Sequence, residues 1–101
     1  MIVNKTNTFE EWLLKLKDKQ GRIKIVFRIR KIEEENYLGD YKSVGDGVYE
    51  LRIHYGPGYR IYFAYENNNI VLLLIGGDKS TQSNDINKAK IINNNRSKYE
   101  W

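Results

Sequence analysis

The hydrophobic period of this chain changes part-way along, and that change restricts the folds open to it. Phe9, Trp12, Leu13 and Leu16 fall at i, i+3, i+4 and i+7, and Ile25, Ile29 and Ile32 repeat at helical spacing. Each set therefore lines one face of a helix. Beyond Gly39-Asp40 the period becomes two. Tyr49, Leu51, Ile53 and Tyr55 alternate with Val48, Glu50, Arg52 and His54, and Tyr59, Ile61, Phe63 and Tyr65 alternate with Arg60, Tyr62 and Ala64. Such alternation places successive side chains on opposite faces of a strand. A helical stretch followed by strands joined through tight turns predicts an α+β fold with a largely antiparallel sheet.

The spacing predicts a short strand over 1–5 and then a helix starting at Thr8, with Thr8 and Glu11 at capping-box separation. Gly21 is expected to break this helix, and a second helix is expected over 22–35, forming a helical hairpin with the first. Strands follow over 48–55, 59–65 and 70–75. Gly56-Pro57-Gly58 makes the tight turn between the first two, because Pro fixes one φ and Gly permits a positive one. The run from Ile70 to Ile75 is apolar on both faces and reads as an interior strand ended by Gly76-Gly77. A last helix is expected from about Thr81, its cap, through Ile86, Ala89 and Ile92, with a polar, fraying tail after about Asn93. Trp12 reads as a helix anchor, Tyr49, Tyr55, Tyr59 and Tyr65 as core or rim residues, and Glu33-Glu34-Glu35 as a solvated helix end. Residues 1–101 form a single domain with no repeat or linker.

Composition narrows the chemistry. The chain has no cysteine and a single histidine, His54, which excludes disulfides, iron–sulfur clusters and cysteine- or histidine-based metal sites. No acidic spacing suggests a carboxylate metal site, so no cofactor is expected. The start shows no long apolar stretch after a basic segment, and no apolar run is long enough to span a bilayer. A cytoplasmic protein without a membrane partner is expected. The formal net charge is +4, and residues 21–35 hold Arg22, Lys24, Arg28, Arg30 and Lys31. A basic balance favours an anionic partner, most often nucleic acid.

The hairpin strands put Arg52, His54, Arg60 and Tyr62 on the face opposite the apolar one. Paired strands keep like faces together, so these side chains share a surface. Lys79 follows the last strand at a position where functional loops commonly emerge. Arginine grips phosphate bidentately, lysine acts as a point charge, and Tyr or His rings can stack on unpaired bases. Histidine is also the side-chain type that ordinarily titrates near neutrality. The bland alternative is that Arg52 and Arg60 are solvated strand residues and His54 an ordinary surface group.

Several segments resemble the addiction-module killer proteins, HigB-like members of the RelE/ParE toxin superfamily. They are Phe9-Glu10-Glu11-Trp12-Leu13, Arg28-Ile29, Gly39-Asp40-Tyr41-Lys42, Val44-Gly45, the run from Gly47 through Ile53, Gly56-Pro57-Gly58-Tyr59-Arg60-Ile61-Tyr62, and Gly76-Gly77-Asp78-Lys79-Ser80-Thr81-Gln82 followed by Asp85-Ile86 and Ala89. The resemblance covers about residues 1–93. It implies an N-terminal strand, a helical hairpin, a twisted β-meander and a C-terminal helix. It further implies ribosome-dependent cleavage of messenger RNA without a metal, and a cognate antitoxin, usually a helix-turn-helix protein. By position, Arg52, Arg60 and Lys79 match basic residues of RelE-type sites. The functional Tyr of the last helix in RelE has Asp85 as its nearest counterpart, so Tyr62 and His54 are the candidates to replace it. Arg22, Lys24, Arg28, Arg30 and Lys31 are candidates for contacts to ribosomal RNA. A gyrase inhibitor of ParE type, or an inactive relic that only binds an antitoxin, shares the fold.

Overall fold

The computed structural model describes residues 1–96. Strand β1 (Ile2–Lys5) is followed by helices α1 (Asn7–Lys15) and α2 (Lys19–Glu35). Strands β2 (Tyr41–Gly45), β3 (Val48–Ile53), β4 (Tyr59–Asn67) and β5 (Ile70–Asp78) form an antiparallel meander, and a single 3-10 turn at Lys79–Thr81 leads into helix α3 (Gln82–Asn94). The five-stranded sheet has the order β1-β5-β4-β3-β2, with β1 parallel to β5. The α+β class is the one read from the sequence, and the elements follow the expected order apart from one added strand, β2. The part of the expected tail that falls on 97–101 lies outside the described residues. Among the described residues no helix is long and apolar enough to cross a membrane.

The differences lie at element ends, and each has a local cause. Helix α1 is capped by Thr6 rather than Thr8. The Thr6 hydroxyl accepts from Phe9 N at 3.0 Å and donates to Leu74 O at 2.7 Å, so one buried side chain caps the helix and ties it to β5. Gly21 does not end a helix. Helix α1 stops at Leu16, Asp18 caps α2 by accepting from Gly21 N at 3.0 Å, and Gly21 lies buried within the first turn of α2. A Cβ at Gly21 would stand 2.5 Å from Cε2 of Tyr59, so closeness of approach, not flexibility, calls for glycine there.

Strand β2 is absent from the sequence reading. Asp46 and Gly47 both have positive φ (55° and 76°), the geometry of a tight two-residue hairpin turn, and this turn folds β2 back on β3. At its other end β3 stops at Ile53, because the chain bends with Tyr55 N bonded to Ile53 O and Gly58 N to Tyr55 O. Gly76 and Gly77 do not end β5 but lie within it. The Trp12 ring occupies the space over Gly76, and the Asp85 carboxylate that over Gly77. Strand β5 is interior, as its two-sided apolar pattern predicted.

The sheet is covered on both sides. On one face Phe9 of α1 and Ile25, Ile29 and Ile32 of α2 pack on Leu51, Ile53, Ile61, Phe63, Val71 and Leu73. On the other, Ala89 and Ile92 of α3 pack on Val48, Tyr62, Ala64, Leu72 and Leu74. The face that alternation marked as polar is therefore, for much of its length, a second core. Each large apolar side chain so buried contributes about 1.5–3 kcal/mol. Thr6→Ala should destabilise by about 1–2 kcal/mol, the usual effect of losing a cap, whereas Thr8→Ala should stay within about 0.5 kcal/mol. Urea titration of both variants checks this, and equal effects would return the cap to Thr8.

Candidate functional site

Arg52 and Arg60 stand directly opposite one another in the β3–β4 register, and Gly77 follows as the neighbour of Arg60 on β5. Like charges facing each other across strands repel. The counter-charge comes from Glu50, on the same face of β3 and opposite Tyr62. Glu50 has no exposed surface. One carboxylate oxygen accepts from Arg52 Nε at 3.0 Å. The other accepts from the side-chain amide of Gln82 at 2.7 Å and from the Tyr62 hydroxyl at 3.2 Å. Arg60 Nε lies 3.9 Å from that second oxygen. Strands β3 and β4 and the first residue of α3 thus converge on one carboxylate.

Burial by itself pushes the Glu50 carboxyl up. The hydrogen bonds from Gln82, Arg52 and Tyr62, together with the Arg60 charge, more than offset it, so the group sits below its ordinary value and is ionised. The same surroundings act oppositely on Tyr62. Burial first, then the adjacent Glu50 charge, push its phenol well above the ordinary range. Tyr62 was read as a candidate for stacking or proton transfer. It is instead wholly buried beneath α3, and an enclosed phenol that keeps its proton is a fixed donor to Glu50.

Lys79 is exposed in the turn before α3, and its backbone N–H reaches Pro57 O at 3.4 Å. The turn between β3 and β4 and the end of β5 therefore bring Lys79 to the same end of the sheet as the arginine pair. His54 is paired with an acid of its own. Its Nε2 lies 2.6 Å from Asp40 Oδ2, with both side chains exposed, and the bond from His54 is the main reason the Asp40 carboxyl lies below its ordinary value. His54 lines a groove of about 330 Å³ with Ile23, Lys24, Phe27, Arg28, Ile53 and Tyr55, which neither Arg52 nor Arg60 borders. Glu50, Gln82 and Asp40 were absent from the sequence-derived site. The available signal was Glu50 itself, an acid in register with Arg52 on an otherwise apolar and cationic face.

The sequence profile of the phage-derived protein Gp49-like family (DUF891) matches residues 11–97. The chain belongs to this family. It is also 49% identical over 90 residues to an uncharacterized protein of Haemophilus influenzae, an alignment covering 89% of this chain and 90% of that protein. The span matched by the Gp49-like profile contains every residue of the site.

The α2 cations of this Gp49-like chain separate into two kinds. Arg28 is turned inward, donating from Nη1 to Arg52 O and from Nη2 to Leu38 O, each at 2.9 Å. Burial lowers its pKa from the ordinary value. Its role is to brace the end of β3, so it leaves the group expected to face RNA. Arg30 and Lys24 are exposed, Arg22 and Lys31 half-exposed, and none of the four has an acidic partner among the described residues. Lys24 lies 5.0 Å from the Tyr55 ring centre, and Lys31 5.5 Å from that of Phe27. Ile23 and Phe27 are about 60% exposed between them. The surface is a cationic frame around an apolar strip.

A carboxyl whose folded pKa is depressed contributes stability that is complete above its unfolded value and is lost as pH falls through the folded one. For Glu50 the loss begins near the ordinary glutamate value of 4.5 and continues below it. The melting-temperature advantage of the wild type over Glu50→Gln should therefore shrink as pH is lowered from 5 towards 3, a window set by that ordinary value. Asp18 and Asp40, also depressed, titrate alike in both proteins and cancel in the difference. A difference independent of pH across this window would mean that Glu50 is not ionised in the fold.

Proposed function

We propose that this Gp49-like chain is the toxin of a toxin–antitoxin pair, a HigB-like relative of RelE that stops translation by cutting messenger RNA on the ribosome. The observation that carries the reading is the Arg52–Arg60 pair, opposed across two strands over a buried carboxylate, with Lys79 at the same end of the sheet. Two fixed guanidinium groups suit a phosphate whose charge grows during reaction.

In the proposed reaction the 2′-hydroxyl loses its proton and its oxygen bonds to the adjacent phosphorus. The bond from phosphorus to the 5′-oxygen of the next nucleotide breaks, that oxygen takes a proton, and a 2′,3′-cyclic phosphate remains. Arg52 and Arg60 stabilise the phosphorane, and Lys79 holds the backbone or protonates the leaving oxygen. His54, oriented through Asp40, is the remaining candidate for proton exchange. Its partner Asp40 accepts from Arg52 N through its backbone carbonyl at 2.9 Å, which ties the pair to the end of β3. A site with so few proton carriers beside the arginines depends on the ribosome to orient the RNA, a contribution that can be large. Arg22, Lys24, Arg30 and Lys31 supply docking charge for ribosomal RNA. The apolar strip of α2 favours an antitoxin that combines apolar side chains with acidic ones.

Purified protein should cut messenger RNA on ribosomes with an open decoding site and leave free RNA largely intact, as read by primer extension. Arg60→Lys keeps the charge but loses the planar fork. It should lower ribosomal cleavage by about 10²–10³-fold, the usual effect of losing one oriented donor, with the fold retained. Lys79→Ala should weaken cleavage without moving the melting temperature. Inhibition of gyrase supercoiling by a protein that leaves messenger RNA uncut would place the chain with ParE instead.

A further inference from the structure

We propose that Glu50 is the positioning residue of the arginine pair: its buried carboxylate bonds the Nε edge of Arg52, faces that of Arg60 at ion-pair distance, and leaves their Nη forks to an RNA phosphate. The proposal rests on the nuclease reading only for the identity of the anion. A guanidinium offers donors along more than one edge. On Arg52 the Nε edge is held by Glu50 at 3.0 Å, and among the described residues its Nη atoms have no hydrogen-bond partner. Arg60 is 91% buried by residue, being 9% exposed. Its Nε is enclosed without a hydrogen-bond partner, and among the described residues its Nη atoms have none either. Both arginines thus turn one edge towards the same carboxylate, and among the described residues the other edge is unbonded.

Packing alone does not call for a charge at this position. A buried ionic cluster is often no more stabilising than well-packed apolar side chains of similar volume. What the carboxylate does supply is a way for two cations to face each other at rest. It neutralises part of their repulsion, and its own place is set by Tyr62 from β4 and Gln82 from α3. Donors held before the substrate arrives need no rearrangement when phosphate charge develops. Glu50 does not reach the substrate, because it has no exposed surface. Gln82 makes the geometry depend on α3 as well as on the sheet.

The test is Glu50→Gln, close in shape, assayed by single-turnover cleavage of messenger RNA on ribosomes. The rate at saturating ribosomes should fall by about 10²–10³-fold, while the half-saturating concentration does not rise, because a negative charge has been removed beneath a cationic patch. A residue with only a packing role would leave the rate per folded molecule unchanged, and that result overturns the proposal. Adding Arg52→Lys to Glu50→Gln should lose little more, since groups acting as a unit are not additive. Gln82→Leu, which keeps Glu50 and removes one of its donors, should give a smaller loss of the same kind and serves where Glu50→Gln does not fold. A wild type that never cuts sinks the nuclease reading but not this one, which is then decided by titrating inorganic phosphate while following the Nε–Hε NMR signals of Arg52 and Arg60. The two signals should move together along one saturation curve in the wild type, and separately and less in Glu50→Gln or Gln82→Leu. Equal, coupled movement in the variants, or none in the wild type, overturns the proposal.

Discussion

An ionised carboxylate with no contact to water must be matched by donors on every side, or its desolvation dominates the region around it. Glu50 meets this demand through Arg52 on its own strand, Tyr62 and Arg60 on the next, and Gln82 at the start of α3. These partners fix more than the acid. They set the β3–β4 register at the end of the hairpin, they fasten the N-terminus of α3 to the sheet, and they hold two cations in opposition. Moving any one of these elements leaves an uncompensated charge in the interior, so this end of the molecule is specified by electrostatics rather than by apolar packing alone.

Close approach does comparable work on the two faces of β5. Consecutive strand residues point to opposite faces, so Gly76 and Gly77 open one space on each. Trp12 of α1 fills the first, and Asp85 of α3 fills the second. Asp85 is anchored in turn by the Thr81 hydroxyl, and the backbone of the 3-10 turn is capped by Asp78 through Ser80 N. The segment between β5 and α3 is consequently built from side-chain bonds, and it places Lys79 beside the hairpin turn without burying it. Gly21 plays the same part under Tyr59, whose hydroxyl donates to Asp18 at 2.7 Å while burial, then that partner, push its phenol up to about 12.

The result is a molecule with two chemically distinct surfaces. At the hairpin end, Arg52 and Arg60 are held cations with little freedom left to lose on binding an anion. Along α2, Ile23 and Phe27 lie open between Arg22, Lys24, Arg30 and Lys31. The first suits a small, highly charged group that must be oriented; the second suits a broad contact in which apolar burial supplies affinity and charge supplies steering. Arg28 lies among the α2 cations in sequence, but its fork is bonded to the carbonyls of Arg52 and Leu38.

Much of this was legible in the residues. The two hydrophobic periods determined which segments are helices and which strands, because the side-chain direction that sets a period is a property of the local backbone. The same local rule placed Arg52 and Arg60 on one face and made Ile70 to Ile75 an interior strand. Strand β2 was not read, because its short and exposed run of Tyr41, Lys42 and Ser43 carries no apolar alternation, although Asp46-Gly47 before Val48 is a hairpin-turn pair. What alternation does not contain is the identity of the covering layer. Tyr62 and Glu50 fall at the same period as Arg52, yet they are buried because α3, which begins at Gln82, comes back over that face. Whether a polar side chain meets water, a carbonyl or a carboxylate depends on elements far away in sequence. Only the tertiary structure therefore turned Arg28 inward, gave His54 to Asp40, and placed a charge beneath the arginine pair.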